Sequence, residues 1–242
     1  TAGLRKKSKI VLQENYLENF VQSVFNAIGG VEGLTFILGG DGRFYNKVAI
    51  QKIIKMAAAN GMKKIIVGQN GFISTPASSH VLLMNKADGG FVLSASHNPG
   101  GVNGDFGIKY AVASGGQCPT SISDKIYEIS KTINEYKILD AEDVDLSRLG
   151  VQKLDNLEIE VIDPVKDYVD MMEHIFDFSS IKKLFENGFT MVFDAMNAVT
   201  GPYARKIFEE ILGAPKGSVI NYVPLEDFGG LHPDPNLIYA KS

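Results

Sequence analysis

The sequence predicts an α/β protein with mixed sheets flanked by helices. Three observations carry this. Apolar residues recur at helical spacing in several segments, short runs rich in Ile, Val and Phe alternate with those segments, and Gly- or Asn-containing turns divide the two kinds. The 242 residues suggest one large domain or two smaller ones.

The elements follow in order. Leu17, Phe20, Val21, Val24 and Ile28 predict an amphipathic helix over 15–28, stopped by Gly29-Gly30. "LTFILGGDGR" reads as a strand running into a glycine turn, with Asp41 and Arg43 just beyond it. Ile50, Ile53, Ile54, Ala57 and Ala58 mark one face of a helix ending near Asn60-Gly61. "KKIIVG" is a strand, and "QNGFISTPASSH" a polar loop entering a short helix near Pro76. "GGFVLSAS" is the third strand, and Ile122, Ile126, Ile129 and Ile133 give a further helix. Residues 137–160 are charged and weakly periodic, a connecting region with short strands.

A second block begins near residue 164. A helix is expected after Pro164, then a short one over "SSIKKLFENG" with serines at its start and Gly188 at its end. "FTMVFDAMNAVTGPY" reads as a strand and turn. Ala204, Ile207, Phe208 and Ile211 mark a helix face, and "SVINYVPLEDF" a strand and its loop. The stretches from Thr35 and from Thr190 share one pattern: strand, Asp (Asp41 or Asp194), turn, helix, Gly, strand. This weak internal repeat suggests two related α/β units, although such units are common.

Composition narrows the function. A net charge of −4 implies no large basic surface for nucleic acid. The basic stretch Leu4 to Lys9 alone suits a solvated arm. With one cysteine, Cys118, no internal disulfide forms, which fits a reducing compartment. One Cys and four scattered His exclude a Cys/His zinc cage. No apolar run approaches the roughly 18 residues of a membrane span. A cytoplasmic protein without stable membrane insertion is expected.

In open α/β sheets ligands collect at the carboxyl ends of strands. Asp41 and Arg43, Gln69 and Asn70, Ser96 and His97, and Asp194 sit at such ends. "SASHNPGG", residues 94–101, stands out among them. Three readings of Ser96 are open. A hydrolase nucleophile lacks its G-x-S-x-G elbow, and on an extended chain Ser96 and His97 point to opposite faces. A phosphate site would use backbone N–H groups of the glycine turn, the hydroxyl, and cations such as Arg5 and Lys109. An ordinary β-turn over Asn98-Pro99-Gly100-Gly101 is the third. By itself Lys109 suits a surface lysine on an edge strand, "GGDGR" lacks the P-loop spacing, and His232 and Asp234 suit a solvated proline-rich loop.

The segments "TAGLRKK", "GGDGRFY", "AAANG", "GQNG", "STPA", "SASHNPGGVNGDFGIKY", "DKIYEISKTI", "DAM", "GPY" and "VPLEDFGGLHPDPNL" together resemble the α-D-phosphohexomutase family. The resemblance runs over essentially the whole chain and lies nearest the family's eukaryotic phosphoglucomutase and parafusin branch. It implies a phosphohexomutase domain 1 over residues 1–170 and an incomplete, similar domain 2 over 171–242. It implies interconversion of glucose 1-phosphate and glucose 6-phosphate through a phosphate on Ser96 and glucose 1,6-bisphosphate as activator and intermediate. Ser96, His97 and Lys109 match the catalytic positions. Thr1, Arg5, Ser96, His97, Asn98 and Lys109 match positions that bind substrate. Mg²⁺ would meet Ser96 through its phosphate, with the aspartate ligands outside this chain. Small hexose phosphates are the implied partners of a monomer or weak dimer. A parafusin-like scaffold role in membrane fusion or secretion, or a mutase for another hexose phosphate, is the alternative.

The sequence departs from the family pattern in places. Ser94 stands where Thr is usual, Ala2 where Ser is common, and Asn197-Ala198 where His-Gly is usual. No Asp-x-Asp-x-Asp loop occurs. The expectation is therefore part of a longer enzyme, inactive alone.

Overall fold

A computed structural model describes residues 3–230. Strand β1 (Gly3–Lys7) leads through one turn, α1 (Ser8–Val11), into α2 (Tyr16–Ala27). Next come β2 (Thr35–Gly40), α3 (Asn46–Ala59), β3 (Lys64–Phe72), α4 (Thr75–Met84), β4 (Gly89–Leu93), β5 (Asp105–Val112) and α5 (Thr120–Ser130). A hairpin, β6 (Gly150–Leu154) and β7 (Leu157–Ile162), precedes α6 (Lys166–Ile175) and α7 (Phe178–Glu186). The last elements are β8 (Phe193–Asp194), α8 (Thr200–Ala204) with its π-helical extension Arg205–Ile211, and β9 (Val219–Ile220).

Seven strands form one mixed sheet in the order β1-β5-β4-β2-β3-β7-β6, and β8 pairs with β9 separately. The inner strands β4, β2, β3 and β7 are parallel, while β5 and β6 run against them. Because both faces are covered, side chains alternate between two apolar layers. Phe36, Leu38, Ile65, Val67, Phe91 and Leu93 face α2, α3 and α5. Ile37, Ile66 and Val92 face α4, together with Val199 and Tyr203 from the second block. The mixed α/β architecture expected from the pattern is thus the one observed.

The internal repeat has a structural counterpart. β2-α3-β3 and β8-α8-β9 each join adjacent parallel strands through a helix. In both, Oδ1 of an Asp at the carboxyl end of the first strand accepts the N–H two residues on: Arg43 at 3.2 Å from Asp41, and Met196 at 2.8 Å from Asp194.

Several expectations need correction. The basic stretch at Leu4 to Lys9 is not a free arm: Gly3–Lys7 pairs with β5, putting Gly3 opposite Lys109 and Arg5 opposite Gly107. That pairing also makes β5 an inner strand, so Lys109 does not lie on an edge. Gln69 and Asn70 belong to the irregular end of β3 and bond the carbonyls of Ser147 and Leu146. The cap of α7 is Asp177, whose carboxylate accepts from Ser180 N–H. β8 is only two residues long, as is β9, its partner among the described residues. Thr1, His232 and Asp234 lie outside the described residues.

Candidate active site

β2 and β4 are neighbours, with Gly40 paired to Leu93, so the loops leaving their carboxyl ends meet. The second loop, residues 94–104, carries Ser96. Ser96 takes a left-handed φ of 56°, and its N–H donates to Ser94 Oγ at 3.0 Å. A non-glycine residue persists there only when its surroundings over-determine it. Inside the loop, Asn98 N–H reaches Ala95 O at 3.2 Å and Asp105 N–H reaches Pro99 O at 2.9 Å. Asn98 Nδ2 donates to Asp105 Oδ2 at 2.9 Å, and Lys7 pairs with Asp105 Oδ1 at 2.9 Å.

The left-handed turn overturns one premise from the sequence. Ser96 and His97 are not on an extended segment, so their side chains do not diverge. Ser96 Oγ lies 3.4 Å from His97 Nδ1, both residues being exposed. The imidazole is therefore within reach of a proton on that oxygen.

Arg43 holds the loop from inside. It is 1% exposed. Its Nη2 donates to Ser96 O at 2.8 Å, and its Nη1 to Asp105 O at 2.8 Å and Asn98 O at 3.3 Å. The rest of the guanidinium is bound by Asp41, with Nε 3.0 Å from each carboxylate oxygen and Nη2 2.8 Å from Oδ2. The planar fork thus satisfies one carboxylate and three loop carbonyls at once, which a lysine could not do. Sequence reasoning marked Arg43 only by its place after a strand, since "GGDGR" shows nothing of the carbonyls it meets.

On the open side, Arg5, Ser94, Ser96, Lys109 and Gln117 line a cavity of about 270 Å³ with Gly3 and Leu4. Arg5 and Lys109 are diagonal neighbours on one face of the β1–β5 pair. Glycines 3 and 107 opposite them leave room between the strands' side chains. Burial first, then the charges of Arg5 and Arg43, push the Lys109 ammonium below its ordinary pKa, with Asp41 opposing. Two cations held together beside a hydroxyl form a site for an anion. A larger cavity of about 670 Å³ between α6 and α8 includes the ion pairs Lys166–Asp170 and Lys206–Glu210 in its lining.

The structure therefore brings together Arg5, Ser96, His97 and Lys109. It turns the Asn98 amide towards Asp105. Among the described residues, no group of three or more His, Cys, Asp or Glu is placed to hold a metal ion. The carboxylates of Asp41 and Asp105 are engaged by Arg43 and by Lys7 and Asn98. The described residues therefore do not fit a Mg²⁺ site by themselves.

This geometry, an α/β/α layer with a serine on a glycine-rich loop, has a known class. Residues 1–137 match the family model for phosphoglucomutase/phosphomannomutase, alpha/beta/alpha domain I. The chain belongs to that family. It is 59% identical over 241 residues to a phosphoglucomutase of Rhizobium radiobacter, and 53% identical over 254 residues to a cytoplasmic phosphoglucomutase of Populus tremula. All of this chain is covered in both cases, against 44% of each relative, so the chain spans less than half their length. Among solved structures, it superposes on the open form of the Paramecium exocytosis-sensitive phosphoprotein pp63/parafusin (phosphoglucomutase) with a TM-score of 0.94 at 45% identity. That match covers 100% of this chain and 46% of the other.

Proposed function

We propose that this chain supplies the phosphate-carrying part of a phosphoglucomutase, an intramolecular phosphotransferase that interconverts glucose 1-phosphate and glucose 6-phosphate. The observation that carries the reading is Ser96 in a left-handed turn, held by Arg43 and facing a cavity flanked by Arg5 and Lys109. Whole-chain identity to named phosphoglucomutases supports it.

In this reading Ser96 carries a phosphoryl group. A free hydroxyl of the bound sugar phosphate attacks phosphorus, the P–Oγ bond breaks, and the proton lost by the hydroxyl is balanced by one gained at Ser96 Oγ as it leaves. The product is glucose 1,6-bisphosphate, whose other phosphate returns to Ser96 Oγ in the second half. Phosphoryl transfer needs in-line placement and cations around the moving charge. Arg5 and Lys109 supply that charge, and His97, 3.4 Å from Oγ, is placed to hold its proton. Mg²⁺, were it held by residues outside the described ones, would supply further charge neutralisation.

We keep the division into residues 1–170 and 171–242 as a proposal, noting that α6 runs across it. Substrates are proposed to be small hexose phosphates, and the state a monomer or weak dimer in the cytosol, without nucleic acid. Among the described residues no helix is long and apolar enough to cross a membrane.

The test follows conversion of glucose 1-phosphate by the full-length parent protein, with Mg²⁺ and a trace of the bisphosphate, in wild type and Ser96→Ala. Turnover that collapses in the variant is expected. A folded, inactive wild type would overturn the reading. Residues 1–242 alone are expected to be inactive, and turnover by them would refute that part.

A further inference from the structure

The strongest unassigned feature is a junction between the Ser96 loop and the far end of the chain. Phe228 is 1% exposed, and its ring lies under the Arg43 guanidinium, 5.2 Å from centroid to Cζ. Two residues earlier, the Glu226 carbonyl accepts from Phe44 N–H at 2.8 Å and from Gly101 N–H at 3.0 Å. One oxygen therefore joins the loop after β2 to the loop after β4. The contact is close: a β-carbon on Gly100 would sit 2.7 Å from Glu226 O and 2.9 Å from the Phe228 ring. Only glycine admits the 226–228 segment there.

That segment is tied to the second sheet. Leu225 N–H donates to Asn197 O at 2.9 Å, and Asn197 Nδ2 donates to Val223 O at 2.9 Å. Asn197 follows β8, and its own N–H reaches Asn221 O, just after β9, at 2.8 Å. A continuous path thus runs from the carboxyl ends of β8 and β9, through Leu225 to Phe228, to Arg43 and on to the Ser96 carbonyl.

We propose that Arg43, capped by Phe228, is a positioning residue through which the second part of the chain sets the orientation of Ser96. This rests on the mutase reading above. Asp41 would neutralise Arg43 by itself. The remaining donors go to the carbonyls of Ser96, Asn98 and Asp105, at the nucleophile and at two points after it. Holding the Ser96 carbonyl fixes the peptide plane after the nucleophile, and with it the line along which Oγ meets phosphorus. Phe228, itself buried, covers the buried Arg43 guanidinium, and cation–π attraction keeps its plane in place.

The test uses the full-length parent protein with Arg43→Lys, which keeps the charge and loses the fork, and Phe228→Leu, which keeps an apolar cover and loses the ring. Three quantities are read: kcat and KM for glucose 1-phosphate, phosphate uptake by Ser96 from glucose 1,6-bisphosphate, and amide exchange at Phe44, Gly101 and Asp105. Arg43→Lys is expected to lower kcat about 100-fold with little change in KM, the scale of a misplaced reacting group. Phe228→Leu should move kcat in the same direction by less and speed exchange at Phe44 and Gly101. Wild-type kcat in either folded variant, or a change confined to KM, would overturn the proposal. Failure of the mutase reading shows separately, as a wild type without turnover. Exchange then decides alone: faster exchange in the variants supports the positioning role, and unchanged protection overturns it.

Discussion

A β-carbon on Gly107 would lie 2.2 Å from the carbonyl oxygen of Ser94, and 2.9 Å from Ala95 Cα. Both contacts are backbone, so neither can swing aside. The strand β5 passes against the base of the Ser96 loop at the one place where it has no side chain. Gly107→Ala must therefore displace residues 94–95, and Ser96 moves with them. In the full-length protein we expect kcat to fall about 100-fold, with a stability loss of about 1–3 kcal/mol from overpacking. Kinetics beside a thermal melt checks this. Wild-type kcat in Gly107→Ala would show that the loop tolerates the shift.

Lys109 gives a prediction with opposite signs for stability and binding. Its pKa is lowered by burial and by Arg5 and Arg43. Folding therefore penalises the charged form. The penalty is complete below the lowered folded pKa and fades as pH rises towards the ordinary lysine value, about 10.4. Lys109→Met should raise the melting temperature at pH 7 and abolish the further rise that inorganic phosphate gives the wild type. A variant that melts lower, or that still responds to phosphate, would remove Lys109 from the anion site.

These two positions also show what the sequence discloses. The helices α2 and α3 and the strands β2 and β4 follow from apolar spacing, because burial on a defined face imposes period on the residues. Ser96 is visible because Pro and Gly punctuate its loop. Arg43 is visible only as a residue after a strand, because its acceptors are backbone carbonyls some 53 to 62 positions away. β1 is hidden because an edge strand facing water needs no apolar pattern, and "LRKK" has little. The Ser96–His97 approach is hidden because the positive φ at Ser96 goes with a bond to Arg43, 53 positions away, beside the local bond to Ser94. Phe228 and Glu226 are hidden for the same reason, their role being set by Gly100 and Gly101 far earlier in the chain.

Asp105 governs the acid side. Burial would raise its pKa, but the Lys7 and Asn98 hydrogen bonds and the Lys7 and Arg43 charges together lower it. The folded value lies below the unfolded one, so its stabilisation is full above about pH 3.9 and is lost as pH falls through the folded value. Asp105→Asn removes this contribution. Amide exchange at Gly101 and Gly104 should differ between variant and wild type at neutral pH and converge in acid. A gap that persists below the folded pKa would mean that Asp105 acts by shape and not by charge.

Tyr203 tests whether the second block braces the first. Its hydroxyl accepts the Ser74 N–H at 3.1 Å, in a buried setting. Ser74 caps α4: its Oγ accepts from Ala77 N–H, and its carbonyl accepts from Ser78 N–H at 2.8 Å. The Tyr203 ring is 6% exposed and meets Tyr168 edge-on at 5.3 Å. Tyr203→Phe keeps the ring and both apolar contacts but leaves the Ser74 N–H buried without its acceptor, a cost of about 1–3 kcal/mol. Expressed as opening of the first turn of α4, that is about 5- to 150-fold faster exchange at Ser78. Burial raises the Tyr203 pKa, with the Ser74 bonds opposing. The contribution is therefore complete below the ordinary tyrosine value of about 10 and is lost as pH rises through the folded value. Wild type and variant should then differ most at neutral pH and approach each other in strong base. Equal protection of α4 at neutral pH would mean that apolar packing alone, through Val199 and the Tyr203 ring, holds the two blocks together.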